Sequence, residues 1–185
     1  MTLICCTLTD NFVLITGDTL ITSNEENYLE TVRKTFKYAD ILIGASGSAG
    51  AINAIPIFME NYQRGTAYSH MQYVANLFSD SQEEVQDGRY SQFLYVSRDE
   101  EGPFFGIVDT KGDHKTLRKS TDEPSLIWKG IGQPNEDILQ SCIVNSGSAD
   151  LDLDTAKEIH ENYIIKVSEV SNGVNSEVIH EYLIF

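Results

Sequence analysis

No apolar run in this chain approaches the ~18 residues that a membrane-spanning helix needs. The opening residues also lack the basic segment and apolar stretch of a secretory leader. Membrane insertion and export are therefore disfavoured, and the cytoplasm is the expected location. Basic residues are scarce, with 13 Lys and Arg against 28 Asp and Glu and a net charge of −15. Nucleic-acid binding depends on clustered Lys and Arg that neutralise phosphates. The charge balance argues against that class of partner, and anionic membranes are disfavoured for the same reason. The acidic surplus reads as a solvated, solubilising surface. Cysteine is limited to Cys5, Cys6 and Cys142, too few and too badly spaced for a disulfide framework or a four-ligand zinc site. Cys5 and Cys6 are adjacent in an apolar run, which puts them on opposite faces of a strand as small buried hydrophobes. His70, His114, His160 and His180 are scattered without metal-ligand spacing, so surface or packing roles are expected, with no metal and no cofactor.

The remainder is ordinary for a globular protein. Residues 1–185 fit one domain with a substantial core. Residues 2–8 and 12–18 are continuous apolar, β-branched runs flanking Thr9-Asp10-Asn11, which predicts a hairpin whose strands are covered on both faces. Residues 19–23 read as a continuation of that sheet, and 33–38 with 40–46 as a second strand pair turning at Ala39-Asp40. The period then becomes helical from Ala49 to Arg64, with Pro56 inside it as a kink or displaced start. A second helix is predicted over 68–86. Strands return at 91–97, 103–109, 114–118 and 125–131, followed by helices at 133–146 and 152–169 and a last strand at 176–184. The acidic run Asp150–Asp154 lacks the glycine and spaced oxygens of a calcium loop. It precedes a helix, where carboxylates suit the positive dipole end. Trp128 reads as core. Helices arriving in pairs rather than alternating with strands exclude a doubly wound parallel sheet. The order suits an α+β, four-layer α-β-β-α sandwich, two stacked antiparallel sheets each flanked by a helix pair.

The chemistry concentrates near the start. If Met1 is removed, Thr2 carries a hydroxyl and a free α-amine on one residue, a nucleophile with its own base attached. An α-amine titrates at about 7.7–8.0, close to working pH. A nearby Lys34 ammonium would hold that value down, and Asp18, at the end of an apolar run, could supply the anion that Lys34 needs. Gly47, in the turn Ser46-Gly47-Ser48-Ala49-Gly50, could offer a backbone N–H to a developing oxyanion. Singly these residues also suit a turn, a solvated strand face or a strand-to-helix joint.

In combination they resemble the proteasome β-subunit superfamily of N-terminal nucleophile (Ntn) hydrolases, particularly the bacterial HslV branch. Thr2, Asp18 in Thr16-Gly17-Asp18 and Lys34 in Arg33-Lys34 follow one another at equal intervals of 16 residues, as in the family, and the glycine turn at 46–50 matches its oxyanion hole. The likeness continues through Phe93–Arg98 and Phe104–Asp113, nearly the whole chain. The resemblance implies an Ntn-hydrolase fold and a threonine peptidase with Thr2, Asp18, Lys34 and Gly47 as catalytic residues. It implies peptide or unfolded-protein substrates and a homo-oligomeric ring, for which an ATPase partner is undetermined. Thr22, Thr31 and Ala49 are pocket candidates. Three supporting positions depart from the family: Ile131, between Gly130 and Gly132, replaces a serine, and Asn172 and Asn175 stand where an aspartate and a serine are common. Alternative expectations are a non-catalytic ring subunit or scaffold, and a small-amide hydrolase or peptide ligase built on the same nucleophile.

Overall fold

The computed structural model describes residues 2–22, 29–61, 71–73, 76, 91–120, 122–123, 125–132, 135–146 and 151–185. The two leading apolar runs form β1 (Leu3–Thr9) and β2 (Phe12–Asp18), every residue of both buried. The expected hairpin turn is built by Thr9, whose Oγ1 accepts from Asn11 N–H at 3.2 Å and Phe12 N–H at 2.9 Å. The side chain thereby replaces ladder bonds that the turn interrupts. Strands β3 (Leu20–Thr22), β4 (Leu29–Thr31), β5 (Thr35–Tyr38) and β6 (Ile41–Ser46) follow, then α1 (Ala49–Asn61), which contains Pro56. Next come β7 (Gln92–Asp99), β8 (Gly102–Asp109), β9 (His114–Leu117) and β10 (Ser125–Gly132). The chain ends with α2 (Glu136–Ser146), α3 (Leu153–Val170) and β11 (Val178–Ile184). Of the helix expected over 68–86, residues 71–73 and 76 are helical and the rest lie outside the described residues. His70 and the side chain of Trp128 lie outside them as well.

Among the described residues three antiparallel sheets result, in the orders β10-β1-β2-β11, β5-β6-β7-β8-β9 and the short pair β3-β4. The fold is α+β. Residues 20–22 do not continue the β1–β2 sheet as expected; they pair with β4 instead. The reason lies in the charge pair: Leu20 N–H is taken by the Asp18 carboxylate at 3.1 Å and Leu20 C=O by Lys34 Nζ, so those groups leave the ladder. Lys34 likewise precedes β5 rather than opening a strand.

Strand alternation decides which core each residue joins. Ile4, Cys6, Leu8, Val13 and Ile15 pack on Leu42, Leu94, Val96, Phe105 and Ile107, so the first sheet lies against the second. The other side of β1, Leu3 and Cys5, packs on Leu139 and Cys142 of α2 and Ile159, Tyr163, Ile164 and Val167 of α3. Phe36, Ile43, Phe93 and Val108 of the second sheet pack on Ala51, Ile52, Ile55 and Met59 of α1. Adjacent Cys5 and Cys6 therefore enter different cores, and all three thiols are buried and free. The acidic run starts α3, with Asp152 as N-cap accepting from Thr155 N–H at 2.7 Å. Among the described residues no helix is long and apolar enough to cross a membrane.

Candidate active site

The end of β2 carries the charge centre. Asp18 faces Lys34 with both oxygens, Nζ to Oδ1 and Oδ2 each 3.0 Å, and neither side chain is exposed. Two backbone amides complete the carboxylate: Leu3 N–H donates to Oδ1 at 2.8 Å and Leu20 N–H to Oδ2 at 3.1 Å. Lys34 Nζ also donates to Leu20 C=O. Burial raises the Asp18 carboxyl above its ordinary value and lowers the Lys34 ammonium below its own. Their mutual attraction and the hydrogen bonds oppose both shifts. A buried pair of this kind holds only because nearly every donor and lone pair has a partner.

Thr2, at 4% exposure, is the residue next to Leu3, whose amide the Asp18 carboxylate holds. The start of β1 is thereby tied to the charge pair through one hydrogen bond. Gly17 makes the close approach possible, since a Cβ there would stand 3.0 Å from Thr35 Cγ2 and 3.7 Å from Lys34 Cβ. Lys34 C=O accepts from Ala45 N–H at 2.8 Å, which brings in the end of β6 and, two residues on, Gly47. Gly47 is exposed, has a φ of 117°, and leads through Ser48 into α1. The left-handed conformation requires glycine. Asp18, Lys34 and the strands leading to Thr2 and Gly47 converge at one end of the two large sheets.

The pocket candidates lie on the short hairpin and on α1. Thr31 is exposed and pairs with Leu20, Thr22 pairs with Leu29, and Ala49 is half-buried at the first residue of α1. Of the three altered positions, Ile131 pairs with Ile4 through the backbone, and its side chain lies outside the described residues. Asn172 is exposed in a turn after α3. Asn175 is half-buried and engages Thr19: its Oδ1 accepts from Thr19 N–H at 3.1 Å and its Nδ2 donates to Thr19 Oγ1 at 2.9 Å. Thr19 Oγ1 in turn donates to Glu177 Oε2 at 2.9 Å.

Sequence reading missed the Leu20 carbonyl, Thr19 and Glu177 as parts of this region. A backbone acceptor leaves no trace in residue type, and Thr19 and Glu177 meet across 158 positions. It also missed a buried polar chain on the α3 side of the first sheet. His160, with no exposure, contacts Thr7 Oγ1 through Nε2 at 2.8 Å and Thr16 Oγ1 through Nδ1 at 2.7 Å. Thr16 Oγ1 also meets His180 Nδ1 at 2.8 Å, and His180 Nε2 meets Glu161 at 2.9 Å. Burial pushes His160 down to about 3, with His180 adding to the shift. No group of His, Cys, Asp and Glu suited to a metal ion occurs among the described residues.

Arranged in this way, the two large antiparallel sheets with their helices share the fold of HslV and related proteasome-like proteins. Eukaryotic HslV from Trypanosoma brucei superposes with a TM-score of 0.64 at 15% identity, covering 99% of each chain. The Thiobacillus denitrificans protein BPH, solved in complex with epoxomicin, gives 0.65 at 13% identity over 98% of each. Anbu from Pseudomonas aeruginosa, solved as a helical assembly, gives 0.66 at 13% identity, covering 99% of this chain and 80% of that one. No family model matches the sequence, and no curated protein matches it either.

Proposed function

We propose that this protein is a threonine peptidase of the HslV/proteasome type, in which Thr2, made the N-terminal residue by removal of Met1, is the nucleophile. The fully buried, bidentate Asp18–Lys34 pair tied to Leu3 N–H carries this reading. A buried charge pair beside the first strand is costly to build, and its use is electrostatic control of what lies next to it. The overall arrangement proposed is a four-layer α-β-β-α sandwich, supported by the packing of α2 and α3 on one sheet and α1 on the other.

In this mechanism Thr2 Oγ attacks the peptide carbonyl carbon, and its proton passes through water to the Thr2 α-amine. The Lys34 ammonium keeps that amine neutral enough to act as base. Gly47 N–H donates to the tetrahedral oxyanion. Collapse breaks the C–N bond, the ammonium proton goes to the leaving nitrogen, and an ester remains on Thr2 Oγ. Water then attacks the ester, losing its proton to the amine, and restores the hydroxyl as the acid is released. Assembly into a homo-oligomer is part of the proposal, supported by the helical assembly of the Anbu complex; enclosure of the sites within a ring is a further part of it.

Intact mass before and after incubation with epoxomicin, the ligand of the Thiobacillus denitrificans structure, tests the reading. Loss of the Met1 mass and one adduct, absent in Thr2→Ala, is the expected result. A retained Met1 with no adduct would overturn it and leave a non-catalytic ring subunit. That second reading draws on the near-complete burial of Thr2 and on Asn175 bonding Thr19. A small-amide hydrolase on the same nucleophile would show the adduct yet cleave no peptide.

A further inference from the structure

Asn175 is half-buried beside the segment that leaves β2, and its bonding shows what an amide does there. Thr19 N–H can only donate, so the atom of Asn175 facing it at 3.1 Å is the carbonyl oxygen. The amide nitrogen is then the atom 2.9 Å from Thr19 Oγ1, which must accept from it. A threonine hydroxyl has one proton, and the remaining neighbour is a carboxylate oxygen of Glu177 at 2.9 Å. An ionised carboxylate has only lone pairs, so Thr19 gives its proton to Glu177. Thr19 C=O accepts from Val32 N–H at 2.7 Å. Every polar group of Thr19 is thus used, in one consistent direction from Asn175 Nδ2 through Thr19 Oγ1 to Glu177.

The two residues flanking Thr19 are the ones that hold Lys34: Asp18 through its carboxylate, Leu20 through its carbonyl. Segment 18–20 sits at a strand end where it leaves the large sheet for the short hairpin. The side chains of Asn175 and Glu177, just ahead of β11, grip it there. We propose that Asn175 and Glu177 form a polarity-specific clamp on Thr19 that positions the Lys34 ammonium. Residue 175 must then be an amide because Glu177 already consumes the hydroxyl proton. Asn175 is a positioning residue, not a catalytic one. An aspartate at this position could accept from Thr19 N–H, but its second oxygen would compete with Glu177 for the single Thr19 hydroxyl proton, leaving one of the two carboxylates without it.

This inference rests on the peptidase reading for its effect on Thr2, so its experiment carries two readouts. One is the exchange rate of the Lys34 Nζ protons, followed by 15N NMR in the full-length protein. The other is the rate of epoxomicin adduct formation at Thr2. In Asn175→Asp, Nζ exchange should accelerate about tenfold, the scale of one lost buried hydrogen bond, and adduct formation should slow correspondingly. In the double variant Asn175→Asp with Glu177→Gln, the polarity reverses. The introduced amide donates to Thr19 Oγ1, and the hydroxyl gives its proton to the introduced carboxylate. Both readouts should return toward wild type. A role in packing alone predicts no recovery, since exchanging the polarity of both partners restores no lost van der Waals contact. Unchanged Nζ exchange in Asn175→Asp, or no recovery in the double variant, overturns the clamp. If the wild-type protein forms no adduct, the peptidase reading fails, while Nζ exchange still decides the clamp.

Discussion

Lys34 and Asp18 meet at 3.0 Å through both carboxylate oxygens, with zero side-chain exposure on either partner. Removing one partner strands the other in the core. Lys34→Met should therefore cost about 3–5 kcal/mol of stability, the usual penalty for an orphaned buried charge. Adding Asp18→Asn to Lys34→Met should recover part of that loss: the stranded charge is gone, while the amide nitrogen faces one of the two backbone N–H groups that the carboxylate accepted. Epoxomicin labelling should stay absent in both variants. Urea titration beside the labelling assay separates the two effects, and a double variant no more stable than the single one would contradict this account.

Gly47 has a φ of 117°, and a Cβ at that position would stand 2.5 Å from Ser91 Cα. Gly47→Ala should destabilise the protein by about 1–3 kcal/mol through strain at the left-handed position and displacement of the β7 approach. Ser91→Gly will not rescue it, because the clash includes backbone. Denaturant midpoints of the single and double variants check both statements.

His160 is neutral and buried between two hydroxyls, with its folded-state value near 3 against about 6.5 unfolded. Between those values the unfolded chain binds a proton that the folded chain does not. Stability contributed by the neutral ring is complete above about pH 6.5 and falls as pH drops toward 3, by about 1.4 kcal/mol per pH unit. In His160→Gln the slope of unfolding free energy between pH 6 and 4 should be shallower by about one proton. Equal slopes in the two proteins would mean that His160 is protonated in the fold.

Burial raises the Cys5 and Cys6 thiols well above their ordinary range. Neither forms the thiolate that reacts with alkylating agents. Iodoacetamide at pH 8 should leave both unmodified in the native protein and label them in urea. Rapid native labelling would show that the first strand opens.

Legibility followed how local the determining forces were. The β1–β2 hairpin was readable because two uninterrupted apolar runs flank a residue, Thr9, whose hydroxyl can close the turn by itself. The start of α3 was readable for the same reason, since Asp152 caps an amide three residues away. The opposite fates of Cys5 and Cys6 followed from the two-residue period of a strand. The assignment of residues 20–22 to the first sheet failed because Asp18 and Lys34 claim the backbone groups of Leu20. That competition arises only when residues distant in sequence meet.

Near the site the division is the same. The pairing of Asp18 with Lys34 was predictable from complementary charge on two flanking apolar elements, because a charge next to a core must find its opposite. The clamp of Asn175 and Glu177 on Thr19, and the seat of His160 between Thr7 and Thr16, were not, since they join positions more than 140 residues apart. The sequence by itself determined the β1–β2 hairpin with its two-faced burial, the strands and helices from Ser91 onward in coarse order, and which charges would seek each other. Only the tertiary structure decided which backbone groups stay in a ladder, which side chains replace them, and in which direction each hydroxyl gives its single proton. Patterning is set by the free energy of removing apolar surface from water, which each residue carries with it. A hydrogen bond's worth depends on partners that exist only once the chain has closed around them.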